Sequence, residues 1–106
     1  MGIIVISAYR PKQSKDAELL EVVKTHVPIL RELGLASERS VIAMKAKDGT
    51  ILEVFEWVSP DAINAAHQNP KVHKMWGEFE ACCEYIKVID VAECSGLFAE
   101  FTPIEL

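Results

Sequence analysis

The sequence carries no basic stripe, no membrane-length apolar run and no glycine-rich phosphate loop. Eleven Lys and Arg stand against sixteen Asp and Glu, a formal charge of −5. Gripping nucleic acid takes clustered cationic side chains, so a nucleic-acid partner is not expected. Crossing a bilayer as a helix takes ~18 or more apolar residues, so no membrane partner is expected either. Near the N-terminus the one apolar run, Ile3 to Ile6, is too short for a secretion signal. Cysteine is scarce and odd in number: Cys82, Cys83 and Cys94. The first two are adjacent, and on a helix neighbouring side chains diverge by about 100°, which disfavours a disulfide between them. Free thiols in a reducing cytoplasm are the expectation. These cysteines and His67 and His73 fit no zinc spacing, and the chain has neither a dinucleotide fingerprint nor a Ser-His-Asp elbow. No metal and no other cofactor is expected.

What is present is ordinary globular material. Half of the 106 residues are hydrophobic and a quarter are charged. That length makes a single domain, residues 1–106, with roughly 65% of its unfolded surface buried. The apolar share is rich for so small a domain, so part of it is expected to be buried against another chain.

The centre of the sequence is the stretch from Thr50 to Ile86. Ile51-Leu-Glu-Val-Phe-Glu-Trp-Val58 reads as a strand, Ser59-Pro60 as a helix cap with proline at the first helical position. A short helix then runs to about Gln68. Asn69-Pro70 breaks it and starts a second helix to about Tyr85, with Val72, Trp76, Phe79, Cys83 and Ile86 as its apolar stripe. The bend is expected to leave the carbonyls of Ala65 and Ala66 without helical partners. Upstream, Ile3 to Tyr9 is an almost wholly apolar strand. Ser14 is the expected N-cap of a helix over 14–33 that Pro28 should kink near Thr25, with Gly34 closing it. Asp48-Gly49 points to a two-residue hairpin turn between strands 40–47 and 50–58, pairing Ala46 with Ile51 and Met44 with Glu53. Residues 86–92 fit either a strand or an irregular crossing. Leu97 to Thr102 reads as a last strand, stopped by Pro103.

The order β-α-β-β-α-β predicts an α+β, ferredoxin-like fold: an antiparallel four-stranded sheet with two helical regions on one face. The other face would remain apolar and open, and the same face of a second copy is the economical cover. A homodimer follows, barrel-like, with a cavity in each half.

The order of elements, Val27-Pro28-Ile-Leu-Arg-Glu-Leu-Gly34, Phe55-Glu-Trp57 and Ala66-His67-Gln-Asn-Pro70-Lys-Val72 resemble the antibiotic biosynthesis monooxygenase-like branch of the dimeric α+β barrels. The resemblance implies a homodimer, a small hydrophobic ligand in the barrel cavity and, in some members, cofactor-independent oxygenation. Heme-degrading members use an Asn, a Trp and a His that would fall near Tyr9, Ala66 and Trp76, and none of the three matches.

Several residues are candidates for chemistry. His67, before the Asn69-Pro70 break, reads as a general base or as a cap on loose helix carbonyls. Glu53 and Glu56 lie in an apolar strand, so one of them is expected to be buried with a raised pKa and to act as a second base, unless Lys45 or Arg39 pairs with it. Glu56 and His67 are the catalytic candidates. Tyr9 and Arg10 leave their strand on opposite faces, one toward the helices and one toward the cavity; either would stabilise a substrate anion. His73 shares a helix face with Gly77 and Glu80, and Trp57 and Trp76 serve either the core or the cavity wall. The expected function is a cofactor-independent monooxygenase or related proton-transfer enzyme acting on a hydrophobic substrate. The alternative is a non-catalytic, ligand-binding or structural homodimer.

Overall fold

A computed structural model describes all residues, 1–106. The architecture is α+β: one antiparallel sheet of five strands with three helices packed on one face. In chain order the elements are β1 (Ile3–Pro11), α1 (Asp16–Glu32), β2 (Ile42–Lys45), β3 (Ile51–Trp57), α2 (Pro60–Ala66), α3 (Pro70–Cys82), β4 (Cys83–Ile86) and β5 (Thr102–Ile104). The sheet order is β4-β1-β3-β2-β5.

A four-stranded sheet ending in a 97–102 strand was expected, and both count and order differ. Helical periodicity runs on through Cys83 and Ile86, but α3 stops at Cys82. From there Cys83 to Ile86 pair with the second half of β1, Tyr9 opposite Tyr85 and Pro11 opposite Cys83. Pairing with an open strand edge outweighs the local helical preference of so short a segment. Val88–Asp90 and Ala92–Ser95 are single 3₁₀ turns, the irregular reading of residues 86–92. Leu97 to Phe101 pair with nothing. The last strand is displaced to Thr102–Ile104 against β2 with Pro103 inside it, which an edge strand tolerates because its outer N–H has no partner to lose.

The hairpin register is shifted by one residue from the expected one. Lys45 faces Ile51, Met44 faces Leu52, and Ala43 faces Glu53. The loop has three residues, closed by Gly49 N–H on the Ala46 carbonyl and Ala46 N–H on the Thr50 carbonyl. Gly49 takes φ +95°, the left-handed position that ends such a loop. Asp48 supports it by accepting the Thr50 N–H at 2.9 Å, and that bond holds its carboxyl below the usual range.

The helix starts vary in how they are capped. Ser14 is not the cap of α1: it sits at φ 63°, and Lys15 precedes the helix without a side-chain bond. Ser59 accepts the Ala62 N–H, and Asn69 those of Lys71 and Val72, so both proline-led helices start on capping side chains. Pro28 lies within α1 on its exposed side, and the helix is continuous from Asp16 to Glu32.

The odd-numbered residues of β1 and β3 face the helices. Val5, Tyr9, Ile51, Phe55 and Trp57 pack there against Leu19, Val23, Val27 and Leu30 of α1 and against Val72, Met75 and Phe79 of α3. The even-numbered residues face the other way. Part of that second face is covered by residues 88–101: Val91 seals Ala8 and Leu52, with Met44, Ile86, Cys94 and Phe101 around it. The rest is bare. Ile6, Val54 and Ile42 form one row across three strands, and Ile4, Ile6 and Ile42 are each more than half exposed. No helix is long and apolar enough to cross a membrane.

Candidate functional site

Strand alternation puts Val5, Ser7 and Tyr9 of β1 on the helix face, beside Glu53, Phe55 and Trp57 of β3. A cavity of about 360 Å³ lies over these residues, closed from above by α3 and the end of α2. Tyr9, His26, Phe55 and Phe79 are buried and form its floor, whereas His67, Glu80 and Tyr85 are exposed and form its rim. Trp57 and Trp76 complete the wall. No Lys or Arg lines it. The cavity is therefore on the helix face, not on the opposite one, because α2 is short and α3 begins afresh at Pro70.

Beneath the cavity is a buried polar cluster. Glu53 has no solvent exposure. Its Oε1 accepts the Tyr9 hydroxyl at 2.8 Å and faces His26 Nδ1 at 2.6 Å, while Oε2 has no partner. With Glu53 ionised, Nδ1 is the donor of this bond, since a carboxylate only accepts. Burial, and then the Glu53 charge, push the Tyr9 pKa well above its usual value, so its hydroxyl stays protonated and donates. The imidazole is held edge-on between Phe55 and Phe79, at ring separations of 5.2 and 5.0 Å. Its Nε2 makes no hydrogen bond within the protein. One nitrogen bonded to a carboxylate and the other without a protein partner, in a side chain that lines a cavity, is an arrangement a histidine base with an orienting acid would need.

The residues singled out from the sequence fall in different places. Tyr9 lies on the cavity side, and Arg10 is exposed on the opposite face. Glu53, not Glu56, is the carboxylate of β3 that reaches the cavity cluster. Glu56 points to the other face, accepts the Ser37 hydroxyl at 2.7 Å and lies 3.2 Å from Arg39 Nε; the Ser37 bond and then Arg39 lower its pKa. His67 stands at the rim with its ring 5.1 Å from that of Trp76. His73 is exposed outside the lining, and its Nε2–H donates to the His67 carbonyl. His73 thus caps the end of α2, the role weighed for His67 itself. The carbonyls of Ala65 and Ala66 are not orphaned, since the N–H groups of Gln68 and Asn69 turn back onto them. No three His, Cys, Asp or Glu side chains converge as metal ligands. All three cysteines are free thiols.

His26 escaped the sequence reading, although a signal was there. Leu19, Val23, His26 and Leu30 repeat at intervals of 4, 3 and 4, so His26 occupies the apolar stripe of α1. A histidine on a buried stripe and a glutamate in an apolar strand are natural partners, because neither is tolerated inside alone.

Comparison with protein-family models finds no match to this chain, and comparison with curated protein sequences finds none, so the case for what the site does rests on its geometry.

Proposed function

We propose that the protein takes a proton from a small, hydrophobic, aromatic substrate held in this cavity, with His26 as the base. The observation that carries the reading is the buried Glu53–His26 pair: His26 lines a cavity walled by Phe55, Trp57, Trp76 and Phe79, and its Nε2 has no partner within the protein. A volume of about 360 Å³ fits the size of small-molecule sites, and the few polar groups in an apolar wall would fix the orientation of a ligand. In the step itself, the substrate C–H or O–H proton moves to Nε2 and its electron pair stays on the substrate as an enolate or phenolate. Glu53 stabilises the imidazolium that forms. Tyr9 contributes through Glu53, because its hydroxyl is already engaged there.

Cofactor-independent oxygenation is the narrower form of this proposal, in which the substrate anion becomes the reductant for dioxygen. The resemblance of the sequence to the antibiotic biosynthesis monooxygenase-like barrels favours that form. We further propose that two chains pair sheet to sheet, as in those barrels. The row Ile6, Val54 and Ile42, with Ile4 beside it, is the apolar surface such pairing would cover.

The test is deuterium exchange at the acidic carbon of aryl-substituted 1,3-diones in heavy water. The native protein should catalyse it, and His26→Asn, which keeps a donor for Glu53 but no base, should slow it by at least ~100-fold. An unchanged rate in His26→Asn would remove the proposal. A ligand that binds in the cavity but never exchanges would favour the non-catalytic binding dimer. Oxygen uptake with the same compounds decides the narrower form.

A further inference from the structure

The cavity has a charge asymmetry. Of its eleven lining residues, the one carboxylate is Glu80, at the rim, and no Lys or Arg is present. A second carboxylate, Glu53, lies directly behind the floor. Lys12 is outside the lining, and its ammonium donates to the Glu80 backbone carbonyl at 2.7 Å. Around Glu80 the wall is aromatic. Trp76 and Glu80 are four residues apart on α3, so their side chains share one face of the helix. Tyr85 belongs to the same rim, within 5.8 Å of the Tyr9 ring and 6.2 Å of the Phe79 ring. Partial burial first, then Cys83 and the nearby Glu80 charge, push the Tyr85 phenol up to about 12. An anionic substituent would meet Glu80 at the rim and Glu53 behind the floor, with no Lys or Arg in the lining. A cationic one would meet a carboxylate beside the electron-rich faces of an indole and a phenol, a combination that attracts ammonium groups.

We propose that the cavity takes an aromatic ligand bearing a positively charged amino group, with the ring among Phe55, Trp57 and Phe79 and the ammonium at the rim by Glu80, Trp76 and Tyr85. This rests on the cavity being the ligand site, as in the function proposed above, but not on His26 acting as a base. The rim position keeps the ammonium partly hydrated, so its desolvation cost is small. Discrimination comes from both sides: attraction of the cation and exclusion of the anion.

The experiment is calorimetric titration of the native protein with three naphthalenes of matched size, substituted by trimethylammonium, tert-butyl or carboxylate. The trimethylammonium compound should bind about tenfold more tightly than the tert-butyl one. The carboxylate should bind at least about tenfold more weakly than the tert-butyl compound. Glu80→Gln, a change at an exposed position, should remove most of both differences while leaving the affinity for the tert-butyl compound as it was. Equal binding of all three would overturn the charge selection and leave the cavity reading standing. Binding of none would count against both. A preference that survives in Glu80→Gln would overturn the role of Glu80.

Discussion

The Glu53–His26 pair can be weighed by a double-mutant cycle. Glu53 is fully buried and its Oε1 has two donors. His26→Leu removes the nearer donor and leaves a buried carboxylate held by Tyr9 alone, a loss of about 3–5 kcal/mol. Glu53→Leu strands the Tyr9 hydroxyl and the His26 N–H together, about 1–3 kcal/mol each, less what the added apolar burial returns. The double variant strands only the Tyr9 hydroxyl, about 1–3 kcal/mol. The apolar return of Glu53→Leu is common to the single and the double variant and cancels, so the singles sum to well above the double and the coupling between the two positions should be at least about 3 kcal/mol. A domain of this length has about 5–15 kcal/mol to lose, so each variant should remain foldable. Urea unfolding followed by circular dichroism reads the differences, with thermal midpoints falling by about 4–8 °C for each kcal/mol lost. Additivity within about 0.5 kcal/mol would refute the reasoning, because it would mean that the two groups do not support one another.

Other outcomes follow from the same structure. The only two tyrosines are Tyr9 and Tyr85. Burial holds the first well above 10.0, and the partial burial of the second pushes it up to about 12, so spectrophotometric titration should show little tyrosinate at pH 10.0 in the folded protein. Ordinary titration near that pH would contradict the burial of Tyr9. Asp48 has a lowered pKa, so its contribution is complete above the unfolded value of about 3.9 and is lost as pH falls through the folded one. Asp48→Asn should therefore lower stability at neutral pH by that contribution and flatten part of the loss below about pH 4; an unaltered acid limb would contradict this. Thiol titration of the unfolded, unreduced chain should find all three cysteines, and in the folded protein Cys94 should react first, because Cys82 and Cys83 are buried and burial raises both thiols. Light scattering should report twice the chain mass, and Ile6→Lys with Ile42→Lys should return it to one; a native monomer would remove sheet-to-sheet pairing.

The parts of the fold legible in the sequence are those governed by local chemistry. The cap at Ser59, the break at Asn69-Pro70, the left-handed Gly34 and the apolar strands at 3–9 and 51–58 each act within a few residues, and each leaves a mark on composition. The end of α3, the strand at 83–86 and the displaced last strand depend on which backbone edges lie free, and no local pattern reports that. The hairpin shows how narrow the margin is. Asp48-Gly49 marks the turn, but a loop of two residues and one of three use the same pair, and the choice moves every partner across the hairpin by one. For the site, the sequence placed two glutamates in an apolar strand and left open which of them was buried. His26 supplies what was missing. The preference for Glu53 is set by a partner twenty-seven residues away on another element, and pairing over that distance is a property of the packed layers.

The account stands most directly on where His26 carries its proton. Nitrogen-15 NMR of the imidazole side chains at about pH 8 reports which ring nitrogen holds it. The proposed reaction requires a single proton on Nδ1, bonded to Glu53, and a lone pair on Nε2. A proton on Nε2, alone or together with one on Nδ1, would leave no base in the cavity and would contradict the central claim.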